Sequence, residues 1–391
     1  MVSTEKVNPI SLELGEELGI ADRGDPAQES WVADELLVIS DHEAEAYRQA
    51  ANELYDMYLE AAGQVIDNER LHELDIPFNL SSQIRQSWEQ GDRHLFGRFD
   101  LAGGIDGLPI RLLGFNADTT DALFETALVQ WAHLLANGMD EDAQFNSVYA
   151  AISDNFRRLV TGDDDPESFP DHYQYQNILF SSPDNSPEQE RDALFLQQMA
   201  GDAGFSTGFC YLHEAAFSAD GVFDPEQTRF DYWFKLYPWE DIGLQSDGLT
   251  GLLDEISQAR TGIVLNPAYT LLFQSKGMLR VLYELFPDSP YLLATDTQPL
   301  TNQPQAVKPM FGRHGANITL LDAAGHEIRA LGGDYGQQRK VYQALAELPQ
   351  DEDGRSYQSS VFYAEGGCGL GFRRGWDIVN HLGRFVSHRI D

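Results

Sequence analysis

The sequence predicts a mixed α+β protein built from about two or three lobes. Its 391 residues, 42% of them hydrophobic, are enough to bury a large core and exceed the usual length of one domain. Between about residues 150 and 265, strand and helix patterns alternate as they do in an α/β unit. Outside that stretch, pairs of short alternating segments flank glycine-bearing turns and read as hairpins.

In chain order, residues 1–40 are acidic and weakly patterned and are expected to be partly ordered at best. Ser40-Asp41-His42-Glu43 has the form of a capping box, and Ala46, Ala50, Leu54, Met57, Ala61 and Val65 recur at helical spacing, so a helix starts there. Phe99 to Phe115 reads as a hairpin turned near Gly103-Gly104 and Asp106-Gly107. Asn116-Ala117-Asp118-Thr119-Thr120 leads into a second helix with Phe124, Leu128, Trp131 and Leu135 on one face, stopped by Asn137-Gly138. The α/β unit then reads as a strand from Tyr175 to Phe180, a helix from near Pro187, and strands from Phe205 to Leu212 and Arg229 to Leu236. A further helix is expected from Leu271 to Phe286, followed by two strands around Lys308, the second with Ile318 and Leu320 on one face. Val341 to Leu345 reads as a connector, and Tyr357 to Tyr363 with Cys368 to Arg374 as a last hairpin through Gly366-Gly367.

Composition excludes several functions. No apolar run approaches the roughly 20 residues needed to cross a bilayer, and Met1 to Leu12 lacks the basic start and apolar core of a secretory signal, so a cytoplasmic location is expected. Cys210 and Cys368 are the only cysteines and have no metal-ligand spacing, so both read as buried thiols. The net charge is −37, which makes nucleic acid and anionic membrane poor partners. The excess is uneven: residues 301–391 carry 10 basic and 10 acidic side chains, leaving 16 and 53 for residues 1–300. The acidic part reads as a solvated surface that would also attract a cationic substrate.

That neutral segment contains Val307-Lys308-Pro309-Met310-Phe311-Gly312-Arg313-His314-Gly315-Ala316-Asn317-Ile318, in which a lysine opens a loop with two glycines. A lysine at a strand end, with Gly312 and Gly315 letting backbone N–H groups approach an anion, suits a phosphate; a hairpin with a basic tip is the plainer reading. Gly367-Cys368-Gly369-Leu370-Gly371 is not a dinucleotide fingerprint, because it lies within a hairpin and opens no helix. His213-Glu214 and His381 stand alone. Asp100 and Asn116 would be oxygen ligands on neighbouring strands, the hard type magnesium prefers, with Arg98 able to fork onto a carboxylate or phosphate.

Six motifs occur in one order: Arg98-Phe99-Asp100, Phe115-Asn116-Ala117-Asp118-Thr119, Phe234-Lys235-Leu236-Tyr237-Pro238-Trp239-Glu240, Ser275-Lys276-Gly277, Val307 to Ile318, and Phe372-Arg373-Arg374-Gly375. In this the chain resembles the synthetase domain of the glutathionylspermidine synthase family, from about residue 75 to 390. The resemblance implies an ATP-grasp fold with a small pre-ATP-grasp-like α/β lobe, and the family's activity is to join a peptide carboxylate to a polyamine with ATP. By position it implies Arg98 at phosphate and peptide, Asp100 and Asn116 on magnesium, Lys276, Lys308 and the 311–317 loop with its Gly312 and Gly315 on ATP, and Gln343 near adenine. It also implies Arg374 as the arginine that stabilises acyl transfer, with Thr119, Glu240 and Thr270 near the peptide and amine.

On that footing residues 1–40 form an acidic N-terminal segment and 41–149 the helical and metal-site part. Residues 150–265 form the substrate lobe, and 266–391 the ATP-binding lobe with the catalytic hairpin. Two departures stand out: the family usually carries a glutamate two residues before the asparagine, where this chain has Gly114, and a glutamate before the proline, where it has Asn266. The expectation is an ADP-forming ligase that joins a glutathione-like or other peptide carboxylate to a polyamine such as spermidine, in a form without an amidase domain. The alternative is a degenerate ATP-grasp protein that binds nucleotide without ligating, which the loss of a carboxylate at Gly114 would favour. The sequence does not speak to oligomeric state.

Overall fold

The computed structural model describes residues 2–19, 31–245, 248–379 and 383–391. The capping box forms as expected, with the Ser40 hydroxyl and the Glu43 carboxylate exchanging bonds with each other's backbone N–H at the start of the helix Asp41–Asp67. That helix buries Ala50, Leu54, Ala61 and Val65 against the largest sheet, and the Tyr47 hydroxyl donates to the carbonyl of Gly103 at 2.6 Å.

The largest sheet has seven strands in the order Thr4–Lys6, Val32–Ile39, Arg384–Ile390, Gly367–Gly375, Ser356–Tyr363, Gly97–Ala102 and Arg111–Asn116. Two expectations change here. The first forty residues supply two strands and the short helix Leu12–Glu17, because Val32–Ile39 finds a parallel partner in Arg384–Ile390, some 350 residues later. The C-terminal hairpin, grouped by sequence with residues 266–391, pairs instead with Gly97–Ala102, placing Ser360 opposite Asp100.

The α/β lobe is a parallel sheet of Ile263–Leu265, Tyr232–Lys235, Asn177–Ser182 and Ser206–Tyr211, with the helix Pro187–Asp202 crossing between the last two. A small antiparallel sheet of Ala216–Ser218, Gly221–Phe223 and Arg229–Phe230 flanks it. The fourth sheet is antiparallel, in the order Thr295–Asp296, Lys340–Ala344, Gln305–Pro309, Thr319–Leu321 and Glu327–Ala330. Val341 to Leu345 is therefore not a connector; most of it is the strand beside Lys308.

Two helices differ from the expected form. In the helix after Thr120, residues Glu125–Val129 make a π-turn, whose extra residue per turn rotates the face that follows. Glu125, Thr126, Val129, Gln130, His133 and Leu134 are buried, whereas Leu128 and Trp131 are half-buried and Leu135 is exposed. The run from Leu271 to Phe286 is two helices, Thr270–Gln274 and Gly277–Leu285, because Ser275 turns extended at φ −64°, ψ 128°. The Ser275 hydroxyl donates to the carbonyl of Leu74 at 2.8 Å, and the Lys276 N–H donates to that of Met310 at 2.8 Å. His381 lies outside the described residues. Among those described, no helix is long and apolar enough to cross a membrane, and both cysteines are buried and free.

Candidate active site

A cavity of about 300 Å³ lies where the Gly97–Ala102/Arg111–Asn116 hairpin, the helix break at Lys276, the strand Gln305–Pro309 with its loop, and the C-terminal hairpin converge. Its position follows from alternation along strands. In register, Gln358 faces Arg373 and Ser360 faces Gly371, so the side chains at 358, 360 and 373 share one face of the sheet, and all three line the cavity.

Two lysines enter from the opposite wall. Lys308 is buried, and its ammonium donates to the carbonyl of Leu113 at 2.9 Å and to Gln343 Oε1 at 2.5 Å; Gln343 Nε2 in turn donates to the carbonyl of Leu112 at 2.9 Å. Burial, reinforced by the neighbouring Lys276, lowers the Lys308 pKa to about 7. Burial likewise lowers the pKa of Lys276, which the broken helix delivers to the same wall. Among the described residues neither lysine has an ion pair, unlike Arg98, Arg313 and Arg373 around them.

Those arginines are held by carboxylates. Arg98 donates from Nε to Asp100 Oδ1 at 2.9 Å, from Nη2 to Asp100 Oδ2 at 3.3 Å, and from Nη1 to both the backbone carbonyl and Oδ1 of Asp121. Arg373 Nη2 reaches Asp121 Oδ2 at 2.9 Å, and His314 Nδ1 stands 3.5 Å from the same oxygen. Burial opposes ionisation of Asp121, but Arg98 and Arg373 outweigh it and hold its carboxyl well below the usual range. Asp121 was not singled out from the sequence, since a lone aspartate ahead of a helix reads as a cap.

Deeper, Asp118 and Lys235 form an ion pair at 2.8 Å with both side chains 0% exposed, and Asp118 also accepts the Trp239 N–H at 2.8 Å. Arg313, on the glycine loop, donates to Glu240 at 3.0 Å, which ties the loop to the α/β side, while His314 approaches Asp121 on the sheet side. Gly315 takes the left-handed conformation at φ +70°, and a side chain on Gly312 would meet Pro309 at 2.6 Å, so glycine is favoured at both positions.

Asp100 and Asn116 sit side by side in the cavity lining, with Asn116 Nδ2 donating to Asp100 Oδ2 at 2.9 Å and both Asp100 oxygens accepting from Arg98. Opposite Asp100 in register is Gly114, and a Cβ built on it would lie 3.4 Å from Lys276 Nζ. No group of three His, Cys, Asp or Glu side chains suited to a metal occurs among the described residues. One carboxylate and one amide oxygen fit a magnesium ion that draws its remaining ligands from phosphate and water, and not one held by protein alone.

Residues 4–391 match the glutathionylspermidine synthase preATP-grasp family. The chain belongs to this family. Within the comparison it is 27% identical over 363 residues to a putative acid–amine ligase of Haemophilus influenzae, covering 88% of this chain and 87% of that protein. It is 25% identical to the trypanothione synthetase of Crithidia fasciculata and 27% identical to the bifunctional glutathionylspermidine synthetase/amidase of Escherichia coli, over 84% and 82% of this chain. It spans only about half of those two proteins, 52% and 53%. In fold it is similar to a glutathione synthetase-like effector of Globodera pallida, with a TM-score of 0.59 at 8% identity over 97% of this chain and 95% of that one. The fold class is therefore the α+β, ATP-grasp type expected for a glutathionylspermidine synthase family member.

Of the residues expected in this family member's site, Arg98, Asp100, Asn116, Thr119, Lys276, Lys308, Gly312, Gly315 and Gln343 line the one cavity. Arg374 does not. One step along the strand from Arg373, it turns to the other face, where it pairs with Asp351 and with Glu35 at 3.3 Å. The arginine that faces the cavity is Arg373, and strand alternation relative to Gln358 was the signal that distinguishes them. Thr270 is fully buried outside the lining, its hydroxyl donating to the carbonyl of Pro267 at 2.8 Å. Glu240 stands one residue removed, through Arg313. Asn266 is a packing residue that accepts the Leu95 N–H at 2.8 Å and donates to the carbonyls of Phe96 and Asp118.

Proposed function

We propose that the chain is an ADP-forming carboxylate–amine ligase that joins a peptide carboxylate, of the glutathione type, to a polyamine such as spermidine. The observation that carries this reading is the pair of lysines without ion-pair partners among the described residues, Lys276 and Lys308, which reach the cavity wall beside the hairpin that carries Asp100 and Asn116: a polyanion is the ligand that completes them. Nucleotide phosphates would lie between these walls, with the purine toward the apolar lining of Ala306, Leu320 and Leu345.

A carboxylate oxygen of the acid would attack the γ-phosphorus as the bond to the bridging oxygen breaks, releasing ADP and leaving an acyl phosphate. The amine nitrogen would then attack the acyl carbon, phosphate would leave, and the amine would lose a proton to solvent. Lys276 and Lys308 offset charge on the phosphates, which would otherwise repel the attacking carboxylate. Arg98, with all three of its nitrogens committed to Asp100 and Asp121, acts as a positioning residue. Arg373 uses Nη2 for Asp121 and leaves its other nitrogens to face charge that develops on the acyl oxygen. Magnesium, held by Asp100 and Asn116, would add charge compensation at the phosphate oxygens. The acidic surface favours encounter with a polycationic amine.

The ligase reading requires ADP release that depends on acid and amine together, and a broad panel of peptides and amines that elicits none above background ends it. The second reading, nucleotide binding without ligation, has the missing carboxylate at Gly114 in its favour. In Gly114→Glu, the new carboxylate would meet Lys276 and face Asp100, so Mn²⁺ affinity in the presence of nucleotide is expected to rise about tenfold by electron paramagnetic resonance titration. Turnover gained from zero in this variant would support degeneration; unchanged turnover in an active protein would show that the glutamate is dispensable.

The lowered pKa of Lys308 gives a pH signature. A folded-state value of about 7 leaves the amine largely neutral at pH 8, and phosphate arriving beside it favours the charged form, so nucleotide binding takes up a proton. Calorimetry in buffers of different ionisation enthalpy is expected to show uptake approaching one proton per nucleotide near pH 8, falling to none below about pH 6, where the group is already charged.

A further inference from the structure

We infer that Asp121 sets which acids this site accepts: it is the resident counter-anion of Arg98 and Arg373, the part of the acid substrate beside it is neutral or cationic, and acids with a single carboxylate are preferred to dicarboxylates. For the existence of an acid substrate the inference rests on the ligase reading.

Both oxygens of Asp121 are in use. Oδ1 accepts from Arg98 and Oδ2 from Arg373 at 2.9 Å, with His314 Nδ1 at 3.5 Å from Oδ2. Arg98 is shared with a second carboxylate, Asp100, so two guanidinium groups are matched by two carboxylates, and the donors that Arg373 does not spend on Asp121 serve the one carboxylate that reacts. A second anion brought here must displace Asp121 or lie against it, and like charges in contact oppose binding. Carboxylate oxygens retain acceptor capacity after one bond each, so an ammonium group is the charge that fits.

The adjoining wall has the same character. Asp192 and Glu125 share one arginine, Arg191, at 3.3 and 3.1 Å, and burial beside Glu125 pushes the Asp192 pKa well above the usual range, so this wall offers no spare positive charge either. Thr119 and Thr120, which precede Asp121 and are only 9% and 5% exposed, also line the cavity, and their buried hydroxyl oxygens have no partner among the described residues. Buried hydroxyls without partners mark a place where a ligand supplies the missing hydrogen bonds. An amino group with a neutral chain meets the Asp121 carboxylate favourably; a second carboxylate does not.

The test uses two peptides that differ in one group: glutathione, with two carboxylates, and its analogue lacking the glutamyl α-carboxylate. Binding to the full chain is measured by calorimetry with Mg²⁺ and a non-hydrolysable ATP analogue. The wild-type protein is expected to bind the monocarboxylate about tenfold more tightly. Asp121→Asn, which keeps the volume, is expected to narrow the ratio to about twofold, while Asp121→Glu keeps the preference. Equal or tighter binding of glutathione to the wild type, an unchanged ratio in Asp121→Asn, or failure of the wild type to bind either peptide would overturn the inference. The ligase reading fails separately: binding with the stated preference but no ADP release removes that reading alone, and ADP release with a dicarboxylate preference removes this one alone.

Discussion

Lys308→Met is expected to weaken nucleotide binding by about a hundredfold or more while leaving the fold as stable as before, or more so. The two halves of this expectation have one cause. Lys308 is buried, and its only partners among the described residues are a carbonyl and the Gln343 amide oxygen, so in the free protein its charge is a burden rather than a support. Methionine keeps the apolar stem and removes the ammonium, which relieves that burden and removes the group a phosphate would meet. Titration with a non-hydrolysable ATP analogue, with thermal unfolding alongside, checks both. Unchanged affinity would remove Lys308 from the phosphate site, and a large loss of stability would show that it serves packing.

Asp118→Ala is expected to have the opposite character. It leaves the Lys235 ammonium uncompensated at a position that is 0% exposed, removes the acceptor of the Trp239 N–H, and should cost about 3–5 kcal/mol of folding stability. Adding Lys235→Met should recover much of that loss, because the double change removes both charges instead of stranding one. Denaturant unfolding of the two single variants and the double variant measures it. If Asp118→Ala costs no more than a surface substitution, the pair is not the buried support that its geometry implies. Asp118 lies two residues after Asn116 and three before Asp121, so its loss should also disturb the cavity through the backbone.

How much of this was readable in advance depended on the range of the interaction. Ser40 and Glu43 are neighbours on one helical turn, so the helix they start was legible from spacing alone. Phe99 to Phe115 was legible as a hairpin because its glycine turns are local. Val32–Ile39 was not, since its strand character is fulfilled only by pairing with Arg384–Ile390 at the far end of the chain. Lys276 reaches the cavity for a reason the pattern concealed: the apolar periodicity from Leu271 to Phe286 continues through Ser275, while the backbone breaks there to satisfy the carbonyls of Leu74 and Met310. Arg374 was chosen over Arg373 because motif order carries no information about which side of a strand a residue faces. Asp121 was missed because the arginines that define it come from two strands remote in sequence.

Gly114 was marked from the sequence as a lost metal ligand, and its geometry adds a detail. Lys276 stands beside the space a glutamate would occupy, so positive charge from a side chain lies where the family usually places a carboxylate. Phosphate charge on that wall is thus met partly by an ammonium, and Gly114→Glu tests how far the chain relies on it.

The central claim is that ATP activates a carboxylate as an acyl phosphate before an amine takes the acyl group. The direct measurement is to supply a peptide acid labelled with oxygen-18 in its carboxylate, together with ATP, Mg²⁺ and a polyamine, and to analyse the inorganic phosphate by mass spectrometry. The account predicts ADP as the nucleotide product and one labelled oxygen in the phosphate, dependent on acid and amine together. Unlabelled phosphate, AMP in place of ADP, or no acid-dependent nucleotide turnover would contradict it.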